Sequence, residues 1–139
     1  VIPIWLILAN NVSHIKEPLY YYIQREGSIA HSINPKIFDI YLAIDNISNY
    51  LKNNGFEGYD NSINVLYLDN CLVMTTLRIK EYENDRLKIK LLKENISLLN
   101  SYFPNWYKYT KLKKYNIKQR ILFLLLKKGM FNIVAKLFR

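Results

Sequence analysis

The sequence has one cysteine, four glycines and four prolines among 139 residues, and no acidic side chain after Glu94. The lone Cys71 excludes a disulfide framework within one chain. The glycines stand apart at positions 27, 55, 58 and 129, so no glycine-rich phosphate loop exists. Asp-x-Asp is absent, and His14 and His31 lie in no H-E-x-x-H context. No apolar run approaches the ~20 residues that span a bilayer. Val1–Ala9 is wholly apolar, yet it lacks the basic flank and small-residue cleavage site of a signal peptide. With no initiator Met, Val1 is expected to be the start of an excised piece.

What is present is a foldable chain. Half of it is hydrophobic and 14% is aromatic, which excludes intrinsic disorder. The length fits one domain with a modest core. Its charge is lopsided. Residues 1–94 hold ten basic and eleven acidic side chains, whereas residues 95–139 hold ten basic and none acidic. The whole net charge of +9 therefore belongs to the last third. Such asymmetry points to a polyanion: anionic lipid, nucleic acid or a phosphate-bearing substrate.

Hydrophobic periodicity predicts a mainly α-helical chain with a short strand or hairpin near the N-terminus. Residues 12–25 look strand-like, with Pro18 marking a kink or edge and Glu26-Gly27-Ser28 the turn. Asn34-Pro35 starts a helix, along which Ile37, Ile40, Tyr41, Ile44, Ile47 and Leu51 share one face. Asn53-Asn54-Gly55 ends it. A second helix is expected over about 60–80, with Ile63, Leu66, Tyr67, Val73, Met74 and Leu77 inward. A third covers about 85–101, with Leu91, Leu92, Ile96, Leu98 and Leu99 inward, and Pro104 closes the bundle. Two short helices follow on either side of Gly129. The expected organisation is thus 1–34, a helical bundle over 35–104, and a basic amphipathic tail over 105–139.

Catalytic groupings are thin. Glu81, Glu83 and Asp85 sit beside Lys80 and Arg86 and fit a solvated charged face. Cys71 falls within a helical apolar pattern and fits a buried small hydrophobe. No catalytic residue and no metal ligand is assigned. The segment Leu19 to His31 is the most informative: Tyr20 and Tyr22 would share one side of a strand, with Arg25 near its end and a Gly-Ser turn behind. Aromatic faces, a guanidinium and a turn suit a sugar or phosphate site, but on the residues alone a half-buried strand with hydroxyls at its margin is the favoured reading.

Tyr20-x-Tyr22-x-x-Arg25-x-Gly27-Ser28 resembles the end of the catalytic domain in family 2 glycosyltransferases, GT-A fold enzymes of bacterial capsule and wall polysaccharide assembly. Val1–Ala9 and the approach through Ile15 to Tyr20 resemble the helix and strand before that motif, and Phe103-Pro-Asn-Trp106 resembles the C-terminal extension. The resemblance covers residues 1–35 by motif and 36–139 by general character. It implies that residues 1–34 are a remnant of a larger α/β domain, with Tyr20, Tyr22, Arg25, Ser28 and His31 contacting substrate. The partners it implies are a nucleotide sugar and a glycan or lipid-linked acceptor. It also implies a divalent metal, Mn or Mg, in the full-length enzyme. The family's Asp-x-Asp half has no counterpart here, so this chain alone is expected to be inactive.

The tail supports three readings. Trp106-Tyr-Lys-Tyr109 and Lys113-Lys-Tyr115 have the composition of a nucleic-acid site. The helices beyond them are too apolar for that, so nucleic acid is disfavoured. Lys127, Lys128, Phe131, Lys136 and Phe138 would instead meet an anionic membrane. The third reading folds both helices back onto the core. The expected location is cytoplasmic, peripheral at the inner face of the plasma membrane. An exposed Val1–Ala9 would invite homodimerisation. The alternative to a transferase fragment is a non-catalytic helical module that binds a protein or anionic membrane through the tail. Saturable binding of a nucleotide sugar with metal would argue against that module.

Overall fold

The computed structural model describes residues 4, 6, 8–21, 23, 35–109 and 115–137. The chain divides into two units, Val1–Ser32 and Ile33–Arg139. In the first unit Ile4, Leu6 and Leu8 are helical, whereas 11–21 and 23 adopt no regular structure. The expected strand near 12–28 therefore does not form among the described residues. A strand survives only when a neighbour pairs with its N–H and C=O groups, and Pro18 removes one donor. Val12, Ile15, Leu19, Tyr20, Tyr21 and Ile23 are all exposed, so no apolar contact substitutes for that ladder.

The second unit is helical throughout its regular structure. A 3-10 turn, Pro35–Phe38, leads into α1, Asp39–Asn53. Tyr41, Ile44 and Leu51 are buried along it, as their spacing requires. Gly55 closes the helix with φ +71°. Gly55 N–H donates to Lys52 O, and Phe56 N–H to Leu51 O, which together satisfy two terminal carbonyls in a Schellman motif.

Residues 60–80 form one rod in three parts: α2, Asp60–Leu66; a π-helical stretch, Tyr67–Met74; and α3, Thr75–Lys80. Its buried residues recur in pairs every four positions: Tyr67 and Leu68, Cys71 and Leu72, Thr75 and Thr76, then Ile79. An α-helix with about 3.6 residues per turn would let that repeat drift around its surface. The wider i→i+5 turn of the π stretch holds the pairs on one side. Hence Met74 and Leu77, expected inward from a 3.6 period, are exposed, and Leu66 and Val73 are only half-buried.

Widening the helix displaces carbonyls, and side chains take them up. Asn70 Nδ2 donates to Leu66 O, Thr75 Oγ1 to Asn70 O, and Asn95 Nδ2 to Cys71 O. Thr76 is the exception, since its buried hydroxyl has no hydrogen-bond partner. Thr76→Val keeps the shape and removes that unpaired group, so it should stabilise the fold by about 1 kcal/mol. Urea unfolding checks this; an unchanged or lower midpoint would contradict it.

Helix α4, Asp85–Tyr102, is capped by Asn84, whose Oδ1 accepts from Leu87 N–H at 3.0 Å. It packs on α1, the π stretch and α3, completing a three-element core. Leu92, Ile96 and Leu99 are buried as predicted, but so are Lys88 and Asn95. Lys88 pairs with Asp85 at 3.1 Å. Tyr41, Tyr67, Tyr102 and Phe103 stack along one end of this core, with ring centroids 5.4 to 6.5 Å apart.

Helix α5, Ile117–Lys127, opens with a reciprocal cap: Asn116 Oδ1 accepts from Gln119 N–H, and Asn116 N–H donates to Gln119 Oε1. Gly129, at φ +70°, ends it in a second Schellman motif, and α6, Phe131–Leu137, packs back onto α4 and α5. Leu122, Phe123, Leu126, Val134 and Ala135 are buried. One face of each tail helix thus belongs to the core.

Candidate functional site

Of the residues expected to contact substrate, Tyr20 is 80% exposed. Tyr22, Arg25, Ser28 and His31 lie outside the described residues, as does Phe138. Among the described residues no group of three or more His, Cys, Asp or Glu could hold a metal ion. Cys71 is fully buried, and burial pushes its thiol up to about 12, so it stays protonated at neutral pH.

The basic third is where the surface has a definite shape. After the 3-10 turn Trp106–Tyr109, the chain reaches Tyr115, which is buried. The Tyr115 hydroxyl donates to Asp69 Oδ1 in the π stretch at 2.8 Å, and its ring meets Phe123 edge-on at 5.0 Å. Arg120 Nε donates to Tyr115 O at 3.0 Å. These contacts fix α5 against the core, and Lys127 over the Tyr107 ring sets the Trp106 turn beside it.

Between that turn and α5 runs an open groove of about 790 Å³. Trp106 and Phe123 make its buried floor. Tyr107, Lys108, Arg120 and Lys127 border it, and Leu124 stands at its edge, half exposed. The Lys127 ammonium sits over the Tyr107 ring, 3.8 Å from its centre. Among the described residues that line the groove, none is a carboxylate. Another groove, of about 540 Å³ beside Gly55 and Gly58, sets Lys52 against Glu57 and Asp60 and has no such field.

Three large apolar side chains follow one another along the outer side of α5: Ile117 at 76% exposure, Ile121 at 49% and Leu124 at 52%. Their i, i+4, i+7 spacing makes a stripe, and Lys118, Arg120, Lys127 and Lys128 flank it on exposed positions. Lys136 is exposed on α6, and Phe131 is half-buried at its start. Of the five residues expected at a membrane, Lys127 and Lys128 flank the stripe. Ile117, Ile121 and Leu124 were not among them. The signal that selects them is the burial of Leu122, Phe123 and Leu126, which turns the other side of the run outward.

The aromatics that suited nucleic acid are engaged elsewhere. Trp106 is buried, with its Nε1–H on Asn100 Oδ1 at 2.9 Å. Tyr115 is buried against Phe123, Tyr109 packs on Phe103, and Lys127 covers Tyr107. Base stacking needs open ring faces, which the buried Trp106 and Tyr115 do not offer.

No protein family, curated protein or solved structure matches the chain. Among the described residues, no helix is long and apolar enough to cross a membrane.

Proposed function

We propose that this chain is the C-terminal part of a family 2 glycosyltransferase. Residues 1–34 would complete its catalytic domain, and the helical unit would hold it against an anionic membrane surface, where a lipid-linked acceptor resides. The observation that carries the docking role is the exposed Ile117–Ile121–Leu124 stripe with basic flanks, in a third of the chain that has no acid. Apolar side chains in the headgroup region and lysines toward anionic lipid make a two-part anchor. Each basic residue near such a surface adds about 1 kcal/mol. The transferase half rests on the Tyr20-x-Tyr22-x-x-Arg25-x-Gly27-Ser28 motif. The exposure of Leu6, Leu8, Val12, Ile15, Leu19, Tyr20, Tyr21 and Ile23 supports it, because so apolar a segment calls for a covering surface, and a larger catalytic domain provides one.

Sedimentation with vesicles tests the docking role. The whole chain should pellet with phosphatidylglycerol-containing vesicles, release as salt rises, and remain in solution with zwitterionic ones. Equal pelleting with both, or none with either, would refute it. The transferase half has its own test in the source cells, where disrupting the coding sequence should remove a surface glycan. An unchanged glycan profile would count against it.

A further inference from the structure

The groove beside α5 goes beyond a diffuse basic face. Lys108 from the turn and Arg120 and Lys127 from α5 converge on one concavity, although up to nineteen positions separate them in sequence. Its floor is rigid, because Trp106 and Phe123 are buried and Trp106 is tied to Asn100. Arg120 is fixed from behind by Tyr115 O, so its guanidinium is held in place rather than swinging freely. A planar guanidinium with two ammonium groups, and no carboxylate among the described lining residues, is the chemistry that recognises a phosphate. Leu124 belongs both to the groove wall and to the exposed apolar stripe, so the cationic concavity opens directly onto the surface expected to meet lipid.

We infer that this groove seats the phosphate of an anionic membrane phospholipid, with the start of the acyl chain against Leu124. The inference rests on the membrane reading above and names its ligand. A free phosphate would use the cations but not Leu124, and a nucleic acid would need the ring faces that packing and Lys127 occupy.

Two pairs of substitutions remove the same charge from the same third of the chain. Lys108→Gln with Lys127→Gln removes two of the groove's three cations and spares Arg120, which supports Tyr115. Lys128→Gln with Lys136→Gln lies outside the groove lining. With phosphatidylglycerol vesicles, the groove pair should weaken partitioning about tenfold more than the other pair. Circular dichroism melts establish that both variants are folded. Should the groove pair not fold, Lys127→Gln alone against Lys136→Gln alone makes the same comparison. Equal weakening by the two pairs would overturn the groove site while leaving membrane docking intact. Absence of vesicle binding by the unsubstituted chain would instead sink the docking role itself.

A second arm uses soluble probes. Monomeric dihexanoyl phosphatidylglycerol should shift the amide resonances of Tyr107, Arg120, Leu124 and Lys127, saturating with concentration. Inorganic phosphate alone should not reproduce the Leu124 shift. Identical shifts from both probes would assign the groove to free phosphate, and stronger displacement by a single-stranded oligonucleotide would assign it to nucleic acid. Either result overturns the lipid assignment.

Discussion

Replacing Asn95 by alanine should destabilise the protein by about 3 kcal/mol, the largest effect expected of any single polar substitution in this core. Asn95 is fully buried in the middle of α4 and joins three elements. Its Nδ2 donates to Cys71 O in the π stretch at 3.0 Å, and its Oδ1 accepts from the Tyr41 hydroxyl on α1 at 2.8 Å. The alanine variant strips the Cys71 carbonyl of that donor and leaves a void where the amide was. The Tyr41 hydroxyl retains a second acceptor, the Asn95 main-chain carbonyl at 3.0 Å. Tyr41→Phe should therefore cost less, about 1 kcal/mol, because Asn95 Oδ1 loses only this donor. The two substitutions should be non-additive in a double-mutant cycle, since they share one network. Urea unfolding of the four proteins measures this. A loss below about 1 kcal/mol for Asn95→Ala would mean that the amide does not hold the π stretch to α4.

The fold should also lose stability in alkali, through its buried hydroxyls and thiol. Burial raises the Tyr41 hydroxyl far above the ordinary tyrosine value, with the neighbouring Cys71 and Tyr67 adding to it. Burial likewise pushes Tyr67 up to about 12 and Cys71 up to about 12. Tyr115 is raised by burial first and then by its hydrogen bond to the Asp69 carboxylate. All four shifts have the same sign. An unfolded chain would release these protons near about pH 9 to 10, while the folded one keeps them. Above that range the native state binds more protons than the unfolded state, so stability falls as pH rises. Below it, these groups contribute no pH dependence. The melting temperature should drop steeply between about pH 9 and pH 12, and the Tyr41, Tyr67 and Tyr115 hydroxyls, followed by their own ring resonances, should ionise only as the fold is lost. Ionisation of these three rings at constant melting temperature would contradict their buried placement.

Local signals in the sequence located most helix ends. Asn53-Asn54-Gly55 and Gly129 act through their own backbone, so their effect needs no distant partner. The π stretch was not legible, because its phase shift comes from packing a four-residue repeat against α1 and α4. That is why Met74 and Leu77 were placed inward and are exposed. Asn95 was equally hidden, since its partners lie 54 and 24 positions away. The strand expectation failed for a related reason: the tyrosine-rich segment has strand composition, but no neighbour among the described residues pairs with it. At the candidate site the charge asymmetry was visible at once. The groove was not, because folding α5 against the core is what brings Lys108 to Arg120 and Lys127. Buried Leu122, Phe123 and Leu126 decide which side of a uniformly apolar run remains outside, and that choice is tertiary.

The proposed membrane role depends on which face of α5 meets the bilayer. A nitroxide at Ile121→Cys measures this directly, and Cys71 will not compete for the label because it is buried and protonated. In the presence of phosphatidylglycerol vesicles, the label should become accessible to oxygen and shielded from a water-soluble nickel chelate. A label at Asn46→Cys, exposed on α1, should stay in water throughout. If the Ile121 label remains as open to the nickel chelate as the Asn46 label while the protein pellets with the vesicles, the stripe is not the membrane face.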